Sequence, residues 1–154
     1  MHEDDVRRVV DVASVCYPQH YEDMAIFLER LRLFPDGCLS LETDDGRVEG
    51  YILAYPWTAG GAPPLNQLVL RLPAEADVLY LHDLALMPEM RGHGHAAAGL
   101  ERVVHVADGR PVTLVSVNGT VPFWSGLGFQ VVDTPALRDK LASYGEDARY
   151  MVRR

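Results

Sequence analysis

His82 and Asp83 put an imidazole and a carboxylate on consecutive residues, and Arg91-Gly92-His93-Gly94-His95-Ala96 follows shortly after. These residue types support two kinds of chemistry. The first pair can accept or release a proton near neutrality. The second group can hold an anion: its glycines reach backbone angles that other residues resist, and the free N–H groups of a following helix point into the turn. Further on, Asn118 precedes an aromatic pair, Phe123-Trp124, in Phe123-Trp124-Ser125-Gly126-Leu127-Gly128-Phe129.

The flanking residues predict the elements that carry these groups. Val78 to Leu86 is an apolar run with the composition of a strand buried on both faces, and Pro88 stops it. Strand alternation sets Tyr80, His82, Leu84 and Leu86 on one face and Asp83 on the other. Ala96, Leu100, Val103, Val104 and Ala107 recur at helical spacing until Asp108-Gly109. Pro111 leads into a second buried strand, Val112 to Val117, with a short helix over Val121 to Leu127 and a strand over Gln130 to Asp133. A helical insertion is expected over Pro135 to Ser143, with Leu137 and Leu141 on its apolar side, before a closing strand at Ala148 to Arg153.

Upstream, Val6, Val9, Val10 and Ala13 fit one helix face, with Asp4 or Asp5 as cap and Pro18 as stop. Met24, Phe27, Leu28 and Leu31 fit a second helix, ending at Phe34-Pro35-Asp36-Gly37. Cys38 to Thr43 and Val48 to Trp57 then read as a hairpin around Asp44-Asp45-Gly46. After the breaker cluster at Thr58 to Pro64, Leu65, Leu68, Val69 and Leu72 suggest either an apolar turn packed over the site or a surface excursion.

Spacing separates the families that bind phosphate in a strand–turn–helix. A P-loop requires Gly-Lys-Ser/Thr, and this turn has no lysine. A dinucleotide fold wants a third spaced glycine and an acid near the end of the next strand, which instead ends Val115-Ser116-Val117-Asn118. Leu84-Ala85-Leu86 followed by Arg91-Gly92-x-Gly94-x-Ala96 resembles the acyl-CoA signature of the GNAT N-acetyltransferases. Asn118 with Phe123-Trp124-x-x-x-Gly128-Phe129 resembles that family's second motif, and the likeness extends from Asp5 to Arg153. A glycine turn alone is a common structural junction, but the two ordered motifs together point to the family.

The resemblance implies an α/β (α+β) GNAT fold. Its mixed, mostly antiparallel sheet has six to seven strands, splayed at the central pair and flanked by about four helices. The family usually begins with a strand before the first helix, whereas this chain starts at the helix. The implied co-substrate is acetyl-CoA, with no metal, contacted by Leu84, Ala85, Leu86, Arg91, Gly92, His93, Gly94, His95, Ala96, Asn118, Phe123 and Trp124. His93 and His95 are read as side chains beside a phosphate rather than as metal ligands, and Arg91 as the pyrophosphate counter-charge or a solvated arginine. The implied reaction moves an acetyl group to a primary amine of a small molecule or peptide by direct attack in a ternary complex. A non-catalytic acyl-CoA-binding module is the alternative, and a homodimer is compatible with the family.

The proton balance ranks the catalytic groups. An alkyl ammonium (pKa near ~10.4) must lose a proton at a cost of about 4–5 kcal/mol at pH 7, whereas a thiolate leaving group (pKa near ~8.5) has a deficit of only about 2 kcal/mol. A base matters more than an acid. His82 is the first candidate, and Leu81 to Leu86 also resembles the strand of arylalkylamine N-acetyltransferases that carries a relay histidine. Asp83 is second, with Glu49, Tyr80 and bulk water behind it. The family's acid is the Tyr of its Phe-Tyr pair, and here Trp124 occupies that position. An indole N–H does not titrate in this range, so Tyr144 or Tyr150 would replace it, or the thiolate leaves unaided. Trp124 would then wall the pantetheine or acceptor, while Phe123 and Phe129 read as core.

The 154 residues suit one domain, with 48% hydrophobic and 23% charged residues. A net charge of −8 without a basic block argues against nucleic acid or an anionic membrane as partner, and weakly favours a cationic substrate. Cys16 and Cys38 have no motif spacing and read as reduced thiols of a cytoplasmic protein. The acidic start and the lack of a long apolar run suggest neither a signal peptide nor a membrane span.

Overall fold

The computed structural model describes residues 1–133, 137, 141 and 144–154. Helix α1 (Val6–Cys16) and helix α2 (Met24–Leu33) come first, followed by the hairpin β1 (Cys38–Glu42) and β2 (Val48–Trp57). Strand β3 (Val78–Leu86) then leads through a 3-10 turn into α3 (His95–Ala107). The chain continues as β4 (Val112–Ser116), α4 (Val121–Gly126), β5 (Gln130–Val131) and β6 (Arg149–Arg153). These strands form one six-stranded sheet in the order β1-β2-β3-β4-β6-β5, antiparallel throughout except between β3 and β4. This is the expected GNAT architecture. Among the described residues no strand precedes α1. The helix expected over Pro135 to Ser143 lies outside the described residues, apart from Leu137 and Leu141, which are buried.

Apolar side chains pack on both faces of the sheet. On one, α3 lays Leu100, Val103 and Ala107 over Ile52, Ala54, Leu79, Leu81 and Leu114. Gly99 permits this close approach, since a Cβ there would sit 2.6 Å from Ile52 Cδ1. On the other, α1 and α2 bury Val6, Val9, Val12, Phe27 and Leu31 against Tyr51, Leu53 and Ala85. Each buried Val, Leu, Ile or Phe among them stabilises the fold by roughly 1.5–3 kcal/mol relative to exposure. Val12, rather than Val10 or Ala13, completes the buried line of α1, and both of the latter are only partly covered. Asp5 does not cap α1 with its side chain: its carboxylate accepts the His2 N–H instead.

Two irregularities in β3 prepare the site. The register with β2 runs Leu84↔Ile52 and Leu53↔Asp83, then jumps to Ala54↔Leu81, so His82 is the extra residue of a β-bulge. Toward β4, only Leu79↔Val112 and Tyr80↔Thr113 pair. Beyond them the two parallel strands part.

Candidate active site

Where β3 and β4 part, a cavity of about 150 Å³ opens. It is lined by Tyr17 and Glu22 from the α1–α2 connection, by Tyr80, His82 and Asp83 of β3, by Asn118 after β4, and by Trp124 of α4. Leu65 and Tyr144 also face it. The bulge overturns the expected alternation. His82 lies among Tyr55 and Tyr80, ring centroids 5.7 and 5.9 Å away, on the face that α2 covers. Asp83 accepts a hydrogen bond from Tyr51 Oη on that same face. Leu84 packs with the α3 cluster on the opposite face, and both Leu84 and Leu86 line the groove between β1, β2 and α3. One inserted residue therefore brings His82 and Asp83 to the same side.

Glu22, which carries no sequence pattern, is the group the motifs missed. Its Oε2 lies 2.9 Å from His82 Nε2, and its Oε1 accepts the Asn66 N–H at 2.9 Å. Both side chains of the pair are nearly inaccessible, 3% for His82 and 6% for Glu22. Burial pushes the Glu22 carboxyl up, but the His82 hydrogen bond and charge, the Asn66 N–H and Arg30 together outweigh it and hold the group below the usual carboxylate range. An ionised carboxylate only accepts, so Nε2 carries the hydrogen. Nδ1 of His82 is buried with no hydrogen-bond partner among the described residues. Asp83 shows the opposite balance: burial dominates, opposed by His82 and by hydrogen bonds from Tyr51 and Tyr17, and its carboxyl is pushed up to about 6.

The connection from residue 58 to 77 divides between the two expectations: Leu65 faces the cavity, while the stretch after it runs over the surface and is held by polar contacts. Leu68 and Leu70 are exposed, whereas Glu29 accepts the Val69 and Leu70 N–H groups and Arg30 Nη2 donates to Gln67 O. Arg30 is fully buried, 5.1 Å over the Tyr55 ring.

The remaining candidates divide. Trp124 is buried edge-on to Phe123 and Phe129 and lines the cavity. Phe129 is core, but Phe123 is 45% exposed at the cavity rim, because α4 turns only one side to the sheet. Tyr144 donates to Pro63 O, and burial pushes its phenol up to about 12. Tyr150 lies outside the cavity, its Oη accepting the Gly60 N–H. Glu49 pairs with Arg8 and Arg47 away from it. Ala85 packs against the α1 side, and its side chain does not line the cavity.

At the head of α3, Gly92 and Gly94 have φ of +78° and +82°, and a Cβ built on either would meet nothing within 4 Å. Gly94 is the N-cap and Ala98 N is the first to bond back, to Gly94 O, so the N–H groups of His95, Ala96 and Ala97 head the helix without an intrahelical partner. An open glycine cradle facing a helix N-terminus fits a pyrophosphate. The His93 and His95 rings stand 6.2 Å apart beside it. Arg91 turns back: its Nε donates to Leu86 O at 3.0 Å and Nη2 lies 3.6 Å from Cys16 Sγ. Asn118 adopts the left-handed conformation at φ +54°, which asparagine tolerates, in the turn leaving β4. Among the described residues no three His, Cys, Asp or Glu side chains cluster as a metal site, and no helix is long and apolar enough to cross a membrane.

Comparison with known proteins agrees with this geometry. The structure superposes on Ard1 from Thermoplasma volcanium with a TM-score of 0.73 at 16% identity, covering 99% of this chain and 93% of that one. Naa20 from Chaetomium thermophilum, in complex with a bisubstrate analogue, gives 0.71 at 15% identity over 99% and 83%. The GNAT-like decarboxylase GphF, in complex with isobutyryl-CoA, gives 0.76 at 19% identity over 99% and 95%. No functionally curated protein matches the sequence. A sequence model of the acetyltransferase (GNAT) family matches residues 6–129, most of the length that holds the glycine turn, the splayed strands and α4, and the chain belongs to that family.

Proposed function

We propose that the 154 residues act as one acyl-CoA-dependent N-acetyltransferase unit whose acceptor is a primary amine of a small molecule or peptide. The observation that carries this reading is that one cavity is lined both by Asn118 and Trp124 of the cofactor motifs and by His82 with its carboxylate partner. In this reading pantetheine enters between β3 and β4, where the strand edges beyond Tyr80 and Thr113 no longer pair with each other, although Leu84 O accepts from Tyr17 and Leu86 O from Arg91. The glycine cradle and the first turn of α3 hold the pyrophosphate. The acceptor ammonium gives its proton to His82, directly or through one water. The free amine then attacks the thioester carbon, the C–S bond breaks, the nitrogen gives up its second proton to solvent, and the thiolate of CoA leaves to be protonated by solvent. Proximity and a backbone N–H on the thioester oxygen supply much of the remaining acceleration.

Tyr144 is a poor acid for that thiolate. Transfer from a phenol at about 12 to a thiol of ordinary pKa near ~8.5 is uphill by about 5 kcal/mol. The Tyr144 O–H is also already donated to Pro63 O, so the thiolate leaves without general-acid help. The paired acids also bear on the acyl group. A carboxylated acyl chain, such as a decarboxylase would use, would lie beside Glu22 and Asp83 and be repelled, whereas a neutral acetyl group and a cationic amine are both accommodated.

The test is thiol release from acetyl-CoA across a panel of alkyl, aromatic and peptide amines, with calorimetry on CoA alone. Amine-dependent release supports the reading. CoA binding with no release on any amine would leave the non-catalytic binding module, and absence of both would overturn the assignment of the site.

A further inference from the structure

We infer that Glu22 is the positioning residue for the catalytic histidine: its carboxylate fixes His82 in the Nε2–H tautomer and supports the imidazolium that forms when the acceptor loses its proton. This rests on the reading of His82 as the base and adds a partner to it.

The contact joins distant parts of the chain, since Glu22 lies in the connection between α1 and α2 and His82 at the bulge of β3. An isolated carboxylate buried at this depth would be costly, and its two close hydrogen bonds, from His82 and from the Asn66 N–H, offset that cost. The bond to His82 has a chemical consequence. Because Nε2 donates to Glu22, the lone pair of the neutral ring is on Nδ1, a buried atom that no described residue satisfies. A buried acceptor without a partner costs stability, and here it is the one atom of the ring able to take a proton.

The charges around the ring favour the same direction of transfer. Facing it are Glu22 from the α1–α2 connection, Asp83 and Tyr80 of β3 and Tyr55 of β2. Arg30 of α2 stands behind the Tyr55 ring, and Tyr17, His20 and Tyr144 line the same cavity. Glu22 is the only anion among the described residues in direct contact with the imidazole. The bulge turns His82 toward α2 and Glu22 meets it there, so neither feature alone makes the dyad.

The experiment compares Glu22→Gln, Glu22→Ala and His82→Gln by pH-resolved kinetics with an alkyl amine, and by nitrogen NMR of 15N-histidine-labelled free protein. In the wild type, His82 should show a protonated Nε2 and a bare Nδ1. Glu22→Gln keeps an acceptor oxygen for Nε2–H but removes the charge. The acidic limb of kcat/KM should therefore move to lower pH, with kcat down on the order of tenfold to a hundredfold, as when carboxylates behind metal-bound histidines are removed. Glu22→Ala should lose the tautomer preference as well and approach His82→Gln in kcat. If Glu22→Ala does not fold, the Glu22→Gln profile and the wild-type spectrum still decide. A wild-type ring protonated on Nδ1 would overturn the inference. So would a Glu22→Gln limb that stays in place while only KM rises, which would make Glu22 an ammonium contact. Should His82→Gln itself retain the limb, it is the assignment of the base that fails, and Glu22 fails with it.

Discussion

The Asp83 carboxyl makes the protein's stability depend on pH in a direction opposite to that of most acids. An aspartate in water titrates near 3.8, and here burial, opposed by His82, Tyr51 and Tyr17, sets the group at about 6. A folded-state pKa raised above the unfolded value means that the native state binds the proton more tightly. The contribution to stability is therefore fully present below the unfolded value and is lost as pH rises through about 6. At pH 8 the loss is at most about 3 kcal/mol, from a difference of roughly two pKa units at 1.36 kcal/mol each, and less to the extent that solvent still reaches the residue. Asp83→Asn removes the charge and keeps an oxygen for the Tyr51 hydroxyl to donate to. The variant should be more stable than wild type at pH 8, by up to about 3 kcal/mol, or roughly 6–10 °C in Tm for a chain of this size. At pH 5 the gain should be about half as large, and near pH 4 it should fall to about a fifth. Thermal melts of both proteins across this range are the assay. A variant that is destabilised at pH 8, or a difference in Tm that does not change with pH, would refute the reasoning.

Two further predictions concern the cofactor. Ala96→Glu puts a carboxylate in the first turn of α3, where it complements the helix dipole and leaves folding intact. Against a pyrophosphate at the same N–H groups it should weaken acetyl-CoA binding at least tenfold by calorimetry, and an unchanged affinity would move the cofactor elsewhere. Trp124→Tyr restores the family's phenol at a buried position packed on Phe123 and Phe129. Turnover should stay equal or rise, most visibly below pH 8, with some loss of Tm; a hundredfold loss, about 3 kcal/mol, would instead give the indole a specific role.

What was legible in the sequence depended on whether neighbours along the chain or across the fold set the outcome. The apolar run Val78 to Leu86 became β3 with those boundaries, and Gly92-x-Gly94 became a turn of positive φ capping α3, because both follow from local preferences. The face occupied by His82 did not, since a bulge is a mismatch between two strands and appears only when β2 pairs with β3. Glu22 sits in an irregular connection with no period to mark it, and its contact with His82 joins residues sixty apart in sequence. Arg30 is fully buried in α2, a burial that depends on Gln67 O and the Tyr55 ring from distant segments and that the helix pattern does not mark. Phe123, read as core, is not: its motif neighbours Trp124 and Phe129 are core, while the short α4 leaves it at the rim.

The central claim is that His82 removes the acceptor's proton, and the direct measurement is the pH dependence of kcat/KM in wild type and His82→Gln, with an alkyl and an aromatic amine side by side. The variant should lose roughly 10²–10⁴-fold on the alkyl amine, lose much less on the aromatic amine, which is already neutral at pH 7, and lack the acidic limb. A His82→Gln enzyme that keeps the limb, or that loses equally on both amines, would contradict the account and move the base to Asp83 or to a chain of water.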